Sequence, residues 1–296
     1  MRWTWTRKKN NGVRVSPFSC QRDGLTLRGY EYRGAGDNLP IAIVSHGFMA
    51  NQGTLKHYAK LLADLGYCAF TFDFSGGCVM MGKSDGRTTD MSVLTEVADL
   101  NAVIDYAVRL TYVDKGNILL MGCSQGGFVS ALTAAKLEKD KEQSKGQSRE
   151  QKSGEQSKDQ NSKNQSRKDQ IKSLVMFYPA LCIPDDARAG KMMFARFDPH
   201  NLPEQIRCGP MKLGRCYAAD VLEMDPFEEI KGFTGDVLLV HGTKDKIVNL
   251  SYAQKAVSSY PPEKLTFRII DGGGHGFSKK HDAIAMDELK KFIGEK

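Results

Sequence analysis

The chain has 296 residues, 41% hydrophobic and 26% charged, with a formal net charge of +7. That length suits one large α/β domain, and the composition excludes a wholly disordered or fibrous protein. No apolar run approaches the ~20 residues of a membrane-spanning helix. Arg14 to Cys20 and Leu25 to Tyr32 read as a hairpin turning at Asp23-Gly24. Ile41 to Ser45 reads as a buried strand, Thr54 to Leu65 as a helix stopped by Gly66, and Tyr67 to Phe74 as a strand. Val93 to Leu110 has amphipathic helical spacing, Asn117 to Met121 is a strand, and Phe128 to Leu137 a helix. Strands follow at Ser173 to Phe177, Asp236 to Val240 and Lys264 to Ile270, with helices at Leu250 to Tyr260 and Asp282 to Ile293. Continuously apolar strands alternating with helices predict a mostly parallel sheet covered on both faces.

Two stretches break this rhythm within a single domain spanning residues 1–296. Glu138 to Gln170 contains no aromatic and no aliphatic side chain. Such a segment cannot bury enough surface to offset the entropy of ordering, so residues 138–170 read as a disordered, low-complexity insertion. Residues 183–229, rich in Pro, Met and charge, read as an inserted cap.

The excess positive charge is scattered, so no nucleic-acid partner is expected. Met1 to Lys9 lacks the apolar stretch of a secretory signal, which predicts a cytoplasmic protein without a membrane partner. The cysteines at 20, 68, 78, 123, 182, 208 and 216 form no C-x-x-C pair, and the histidines show no metal-ligand spacing. No disulfide framework, metal or cofactor is expected.

The sharpest local signal is Gly122-Cys123-Ser124-Gln125-Gly126-Gly127, which is G-x-S-x-G between a strand and a helix. A serine lifted above a sheet on so sharp a turn needs neighbours without side chains. A serine nucleophile needs a base, and the base needs an orienting acid. Asp245 follows the strand ending in His241-Gly242, and His275 sits in the glycine-rich loop Asp271 to Phe277 after the last strand. Each falls at the C-terminal edge of a predicted strand, where open α/β sheets place their sites. Asp271 is the rival acid, but its nearness to His275 suits a loop-capping role better. His57 and His281 read as surface residues, and His46 and His241 as packing residues. After the first buried strand, His46-Gly47-Phe48 is either a plain turn or one half of an oxyanion hole; in the second case the Phe48 and Gln125 backbone N–H groups are the donors.

Four stretches carry a family resemblance: His46-Gly47-Phe48; Ser84-Asp85-Gly86 with Met91 to Glu96; the Ser124 turn; and Phe197 to Pro203 in the cap. Together they resemble the α/β-hydrolase superfamily, and within it bacterial cinnamoyl and feruloyl esterases, over nearly the whole chain outside 138–170. The resemblance implies an α/β-hydrolase fold with Ser124 as nucleophile, His275 as general base and Asp245 as its orienter. It places Tyr217 and Asp186 of the cap near a substrate's phenolic group, the alternative being a surface tyrosine and a loop aspartate. Met192, Met193, Phe194 and Phe197 either offer apolar surface to an acyl group or pack the cap onto the domain. The loop from Ser75 to Gly86 is longer than the family's usual G-x-G-x-S-D-G. The expected partner is a small-molecule ester; an aminopeptidase of a related family is the alternative, and a non-catalytic binding protein on the same scaffold is a third reading.

Overall fold

The computed structural model describes residues 12–78, 82–150 and 171–294. Asp23 and Gly24 both have positive φ, 50° and 80°, the backbone of a hairpin turn whose twist matches that of its strands. It joins β1 (Arg14–Arg22) to β2 (Leu25–Arg33). The chain continues through β3 (Leu39–Ser45), α1 (Lys56–Asp64), β4 (Cys68–Phe72), α2 (Val93–Ala107), β5 (Val113–Cys123), α3 (Gln125–Glu150) and β6 (Ile171–Phe177). After β6 come α4 (Ile183–Arg188), a short hairpin of β7 (Lys191–Met192) and β8 (Ala195–Arg196), and a second of β9 (Gln205–Cys208) and β10 (Met211–Gly214). Two short helices, α5 (Arg215–Ala219) and α6 (Pro226–Glu229), lead back to β11 (Asp236–Gly242), α7 (Leu250–Ala256), β12 (Leu265–Ile270) and α8 (Lys279–Gly294).

Eight of these strands form one sheet in the order β1-β2-β4-β3-β5-β6-β11-β12. The pairings β1–β2 and β2–β4 are antiparallel and the other five are parallel. The unbroken apolar runs of the central strands are explained by their alternation between two cores. Ile41 and Ile43, Ile118 and Leu120, and Val237 and Leu239 face a core closed by α2, α3 and the cap. Ala42 and Val44, Leu119 and Met121, and Leu238 and Val240 face the opposite core, closed by α1 and α8. With side chains alternating at period two, both faces of each strand are buried and both must be apolar.

Helix α2 starts with a capping box: Ser92 Oγ accepts the Thr95 N–H at 3.2 Å, and Thr95 Oγ1 accepts the Ser92 N–H at 2.9 Å.

The structure corrects part of the expectation for residues 138–170: α3 runs on to Glu150 instead of ending at Leu137. Glu, Lys, Gln and Arg are good helix formers, and a preformed helix needs no new nucleus to extend. Its first polar residues are also anchored: Thr234 Oγ1 donates to Glu138 Oε1 at 2.9 Å, and Lys139 Nζ donates to the Glu228 and Glu229 carbonyls. Residues 151–170 of the segment lie outside the described residues.

Residues 183–229 contain two small hairpins that their composition did not announce, because strands of two and four residues are too short to show periodicity. Met192 is buried and Phe197 packs against the α2/α3 core, whereas Met193 and Phe194 are exposed. Among the described residues no helix is long and apolar enough to cross a membrane.

Phe70 on β4 is fully buried, with its ring edge-on to Phe18 at 5.4 Å. Phe70→Ala should lower folding stability by about 3–5 kcal/mol, read from the midpoint of urea unfolding; a loss below about 1 kcal/mol would mean that the site collapses around the void.

Candidate active site

Ser124 occupies the one-residue turn between β5 and α3 with φ at 54°. Its backbone is tied down on all sides: Ser124 N–H donates to Phe177 O at 3.0 Å, and Ser124 O accepts from Gly127 N at 2.9 Å and Ala180 N at 2.9 Å. The turn is possible only because two neighbours lack a Cβ. A Cβ at Gly122 would lie 2.0 Å from Gly126 O, and one at Gly126 would lie 2.2 Å from Ser45 O. The G-x-S-x-G spacing is therefore a packing requirement that leaves the serine side chain above the sheet edge.

Two other strand ends bring their side chains to it. His275 Nε2 is 2.8 Å from Ser124 Oγ, and His275 Nδ1 is 2.8 Å from Asp245 Oδ2. Asp245 is buried, and its other oxygen accepts the N–H groups of Ile247 and Val248, each at 2.9 Å. Burial pushes the Asp245 carboxyl up, but the His275 contact and these backbone donors more than offset it and hold it below the usual aspartate range. A histidine so placed can accept the serine proton while the carboxylate orients it and balances its charge. Asp271 takes no part: its Oδ1 accepts from Thr243 Oγ1 at 3.0 Å, as a loop tie.

The His46-Gly47-Phe48 turn lies against this serine, with Gly47 so close that a Cβ there would sit 2.9 Å from Ser124 Cβ. Gln125 opens α3, where the first backbone N–H groups have no helical acceptor. Phe48 and Gln125 thus flank Ser124 from two elements. His46 serves structure: Nε2 accepts the Phe74 N–H at 3.1 Å and Nδ1 donates to Gly47 O at 2.9 Å. His46, Asp73 and Cys78 are grouped within ligand reach of one another, but the only lone pair of the His46 ring is the one that Phe74 uses. Asp73 likewise accepts the Gln52 and Lys83 N–H groups at 2.7 and 2.9 Å.

A cavity of about 380 Å³ opens at Ser124 and His275, walled by Phe48, Leu55, Tyr58, Tyr178 and Phe277. Three of its non-glycine lining residues have positive φ: Ser124 at 54°, Tyr178 at 40° and Phe277 at 25°. Backbone strain of this kind is uncommon and concentrates at functional sites.

Comparison with known proteins agrees with this architecture. The family model described as serine aminopeptidase, S33, matches residues 37–146. A ferulic-acid complex of Est1E from Butyrivibrio proteoclasticus superposes with a TM-score of 0.77 at 24% identity, covering 94% of this chain and 98% of that one. A Pyrococcus furiosus esterase superposes with a TM-score of 0.65 at 14% identity, covering 100% and 96%. The chain has the α/β-hydrolase fold. Among curated sequences, the Escherichia coli K12 protein YcjY is 34% identical over 93 residues, 30% of this chain and 28% of its own length. An uncharacterised 31.7 kDa Escherichia coli protein from the traX–finO intergenic region is 30% identical over 89 residues, 30% of each chain.

The structure gives Tyr217 and Asp186 other partners. Tyr217 is buried, and its hydroxyl donates to Gln125 Oε1 at 2.6 Å. Asp186 pairs with Lys191 at 2.9 Å. Neither lines the cavity that holds Ser124.

Glu96 and Asp99, given no site role by the sequence, complete the floor. Gln125 Nε2 donates to Glu96 Oε2 at 2.8 Å, so the Gln125 amide is clamped between Glu96 and Tyr217. Burial holds the Glu96 carboxyl well above the ordinary glutamate range, against the opposing pull of the Gln125 bond. One turn on, Asp99 accepts Arg22 Nε at 2.7 Å and both the N–H and Oγ of Ser75 at 2.7 Å, pinning the start of the long Ser75–Gly86 loop. Residues 79–81 of that loop lie outside the described residues. The signal was present: Glu96 and Asp99 are acids on the apolar face of α2, beside Val93, Val97 and Leu100.

The depressed Asp245 pKa has a consequence for stability. Its contribution is present above about pH 4, where an unfolded aspartate is ionised, and is lost as pH falls through the lower folded value. The difference in thermal midpoint between wild type and Asp245→Asn should therefore shrink from pH 6 to pH 3; a constant difference would show that the carboxylate charge contributes nothing.

Proposed function

We propose that this α/β hydrolase cleaves small carboxylic esters through an acyl-enzyme on Ser124. The observation that carries the reading is the continuous hydrogen-bonded chain Asp245–His275–Ser124, both links at 2.8 Å, on a strained turn that opens into a cavity. Ser124 Oγ attacks the ester carbonyl as His275 Nε2 takes its proton, and the Phe48 and Gln125 N–H groups bind the oxygen that becomes negative. The imidazolium then protonates the departing alcohol. A water activated by His275 releases the acid and restores the serine.

For the acyl group we carry over an aromatic acid of cinnamoyl type, supported by the likeness to Est1E with ferulic acid bound. A second reading, removal of an amino-terminal residue, is supported by the description of the matching family model. Recognition of a free ammonium group needs a carboxylate without a compensating cation. In the Ser124 cavity the carboxylate is Asp282, accompanied by His57 and Lys279, which favours a neutral substrate.

The test is a panel of methyl ferulate, p-nitrophenyl acetate and aminoacyl anilides. Wild type should hydrolyse the esters, and Ser124→Ala should lose on the order of 10⁴-fold or more in kcat with folding intact. Asp245→Asn should lose far more activity than Asp271→Asn. Full activity in Ser124→Ala would remove the mechanism, and anilide turnover exceeding that of the esters would favour the second reading.

A further inference from the structure

The acid beside His275 rests on a second histidine that the ester mechanism does not use. His241 lies near the end of β11, its side chain is fully buried, and it does not line the Ser124 cavity. Its Nε2 is 3.0 Å from the Val248 carbonyl oxygen and 3.4 Å from Asp245 Oδ2. A carbonyl oxygen only accepts, so the ring carries its proton on Nε2. Nδ1 is then a bare lone pair, buried and without a hydrogen-bond partner among the described residues. A buried polar atom left unsatisfied costs stability, so the ring is held there for its other edge.

What that edge secures is the turn that carries Asp245. The start of the turn is fastened to the loop of His275. Thr243 N–H donates to Ile270 O at 3.1 Å, Lys244 N–H donates to Gly273 O at 2.8 Å, and a Cβ at Gly242 would lie 2.2 Å from Gly273 O. The end of the turn is Val248, whose N–H donates to Asp245 Oδ1 at 2.9 Å and whose carbonyl accepts from His241. His241 therefore fastens the end of the turn to the strand that the turn left. The same N–H edge faces Asp245 Oδ2, the oxygen that lies 2.8 Å from His275 Nδ1, so this oxygen stands between two imidazoles. A carboxylate swinging away from His275 would break both contacts. We infer that His241 is a positioning residue for the acid, acting through Val248 and Asp245 Oδ2 to hold the carboxylate in line with His275. The inference rests on the Asp245–His275–Ser124 reading above and adds a fourth residue to it.

The experiment uses the full chain with p-nitrophenyl acetate as substrate. Glutamine can bring an amide N–H to the place of His241 Nε2–H; asparagine, one methylene shorter, stops at the level of Nδ1; phenylalanine keeps a ring and has no donor. His241→Gln should keep kcat within about twofold of wild type, whereas His241→Asn and His241→Phe should each lose about tenfold, the scale of one buried hydrogen bond. KM should not move, because substrate does not reach the residue. The low-field proton resonance of His275 Nδ1–H, in its bond to Asp245, should persist in His241→Gln and move upfield in the other two. His241→Asn keeps the comparison decisive if His241→Phe does not fold. Nitrogen-15 spectra of wild type, which need no variant to fold, should show His241 protonated on Nε2 near neutral pH.

A His241 protonated on Nδ1 would overturn the assignment. So would folded Asn and Phe variants that lose thermal midpoint but keep wild-type kcat and an unmoved resonance, the mark of packing alone. Equal losses in all three variants would overturn it too, since ring shape and not the N–H would then matter. Each of these leaves the Ser124 mechanism standing. Full turnover in Ser124→Ala would overturn both together.

Discussion

Everything at the Ser124 edge of the sheet depends on one close approach of backbones. The end of β3 and the turn leaving β5 come so near that the Ser45 carbonyl occupies the space a side chain at 126 would need. That contact fixes the start of α3 and holds Ser124 in positive φ beside Gly47. The interior on both faces of the sheet clamps β3 and β5 from above and below, so strain at one residue is held by two cores. A turn of this kind could not persist on an edge strand or an exposed loop.

The three polar residues that meet at Ser124 come from three strand ends separated by long stretches of chain. Parallel strands all end at the same edge of the sheet, so each loop there delivers its residue to a common line. Asp245 illustrates how little else is required: two backbone N–H groups of its own turn and the imidazole satisfy its oxygens. Beneath it, His241 is buried, donates from Nε2 to the Val248 carbonyl at 3.0 Å, and is driven by burial towards its neutral form. It therefore packs under the acid without bringing a competing charge.

Much of this was legible in the sequence, for a physical reason. Period-two alternation against two apolar cores produces unmistakable strands, and the glycines at 122 and 126 cannot be anything else. The cap resisted reading because its hairpins are too short to carry a period, and because Tyr217 announces a hydroxyl without announcing its partner. The polar segment after Leu137 misled for a different reason. Composition reports what a segment can bury, whereas α3 had already been nucleated, and Thr234 and the carbonyls at the end of α6 anchor its next residues. Asp282 was legible only as a helix-start residue. Its place in the cavity follows from α8 lying beside α1, a tertiary fact that no local pattern contains.

The clamp on Gln125 bears on how the Ser124 turn is held. Tyr217 lies far from Gln125 in sequence, yet its hydroxyl completes a hydrogen-bond chain that ends at the buried Glu96 carboxyl. Were Tyr217 to swing outward, the Gln125 amide would lose its donor, and the residue that follows Ser124 would lose its brace. Tyr217 is thus a keystone.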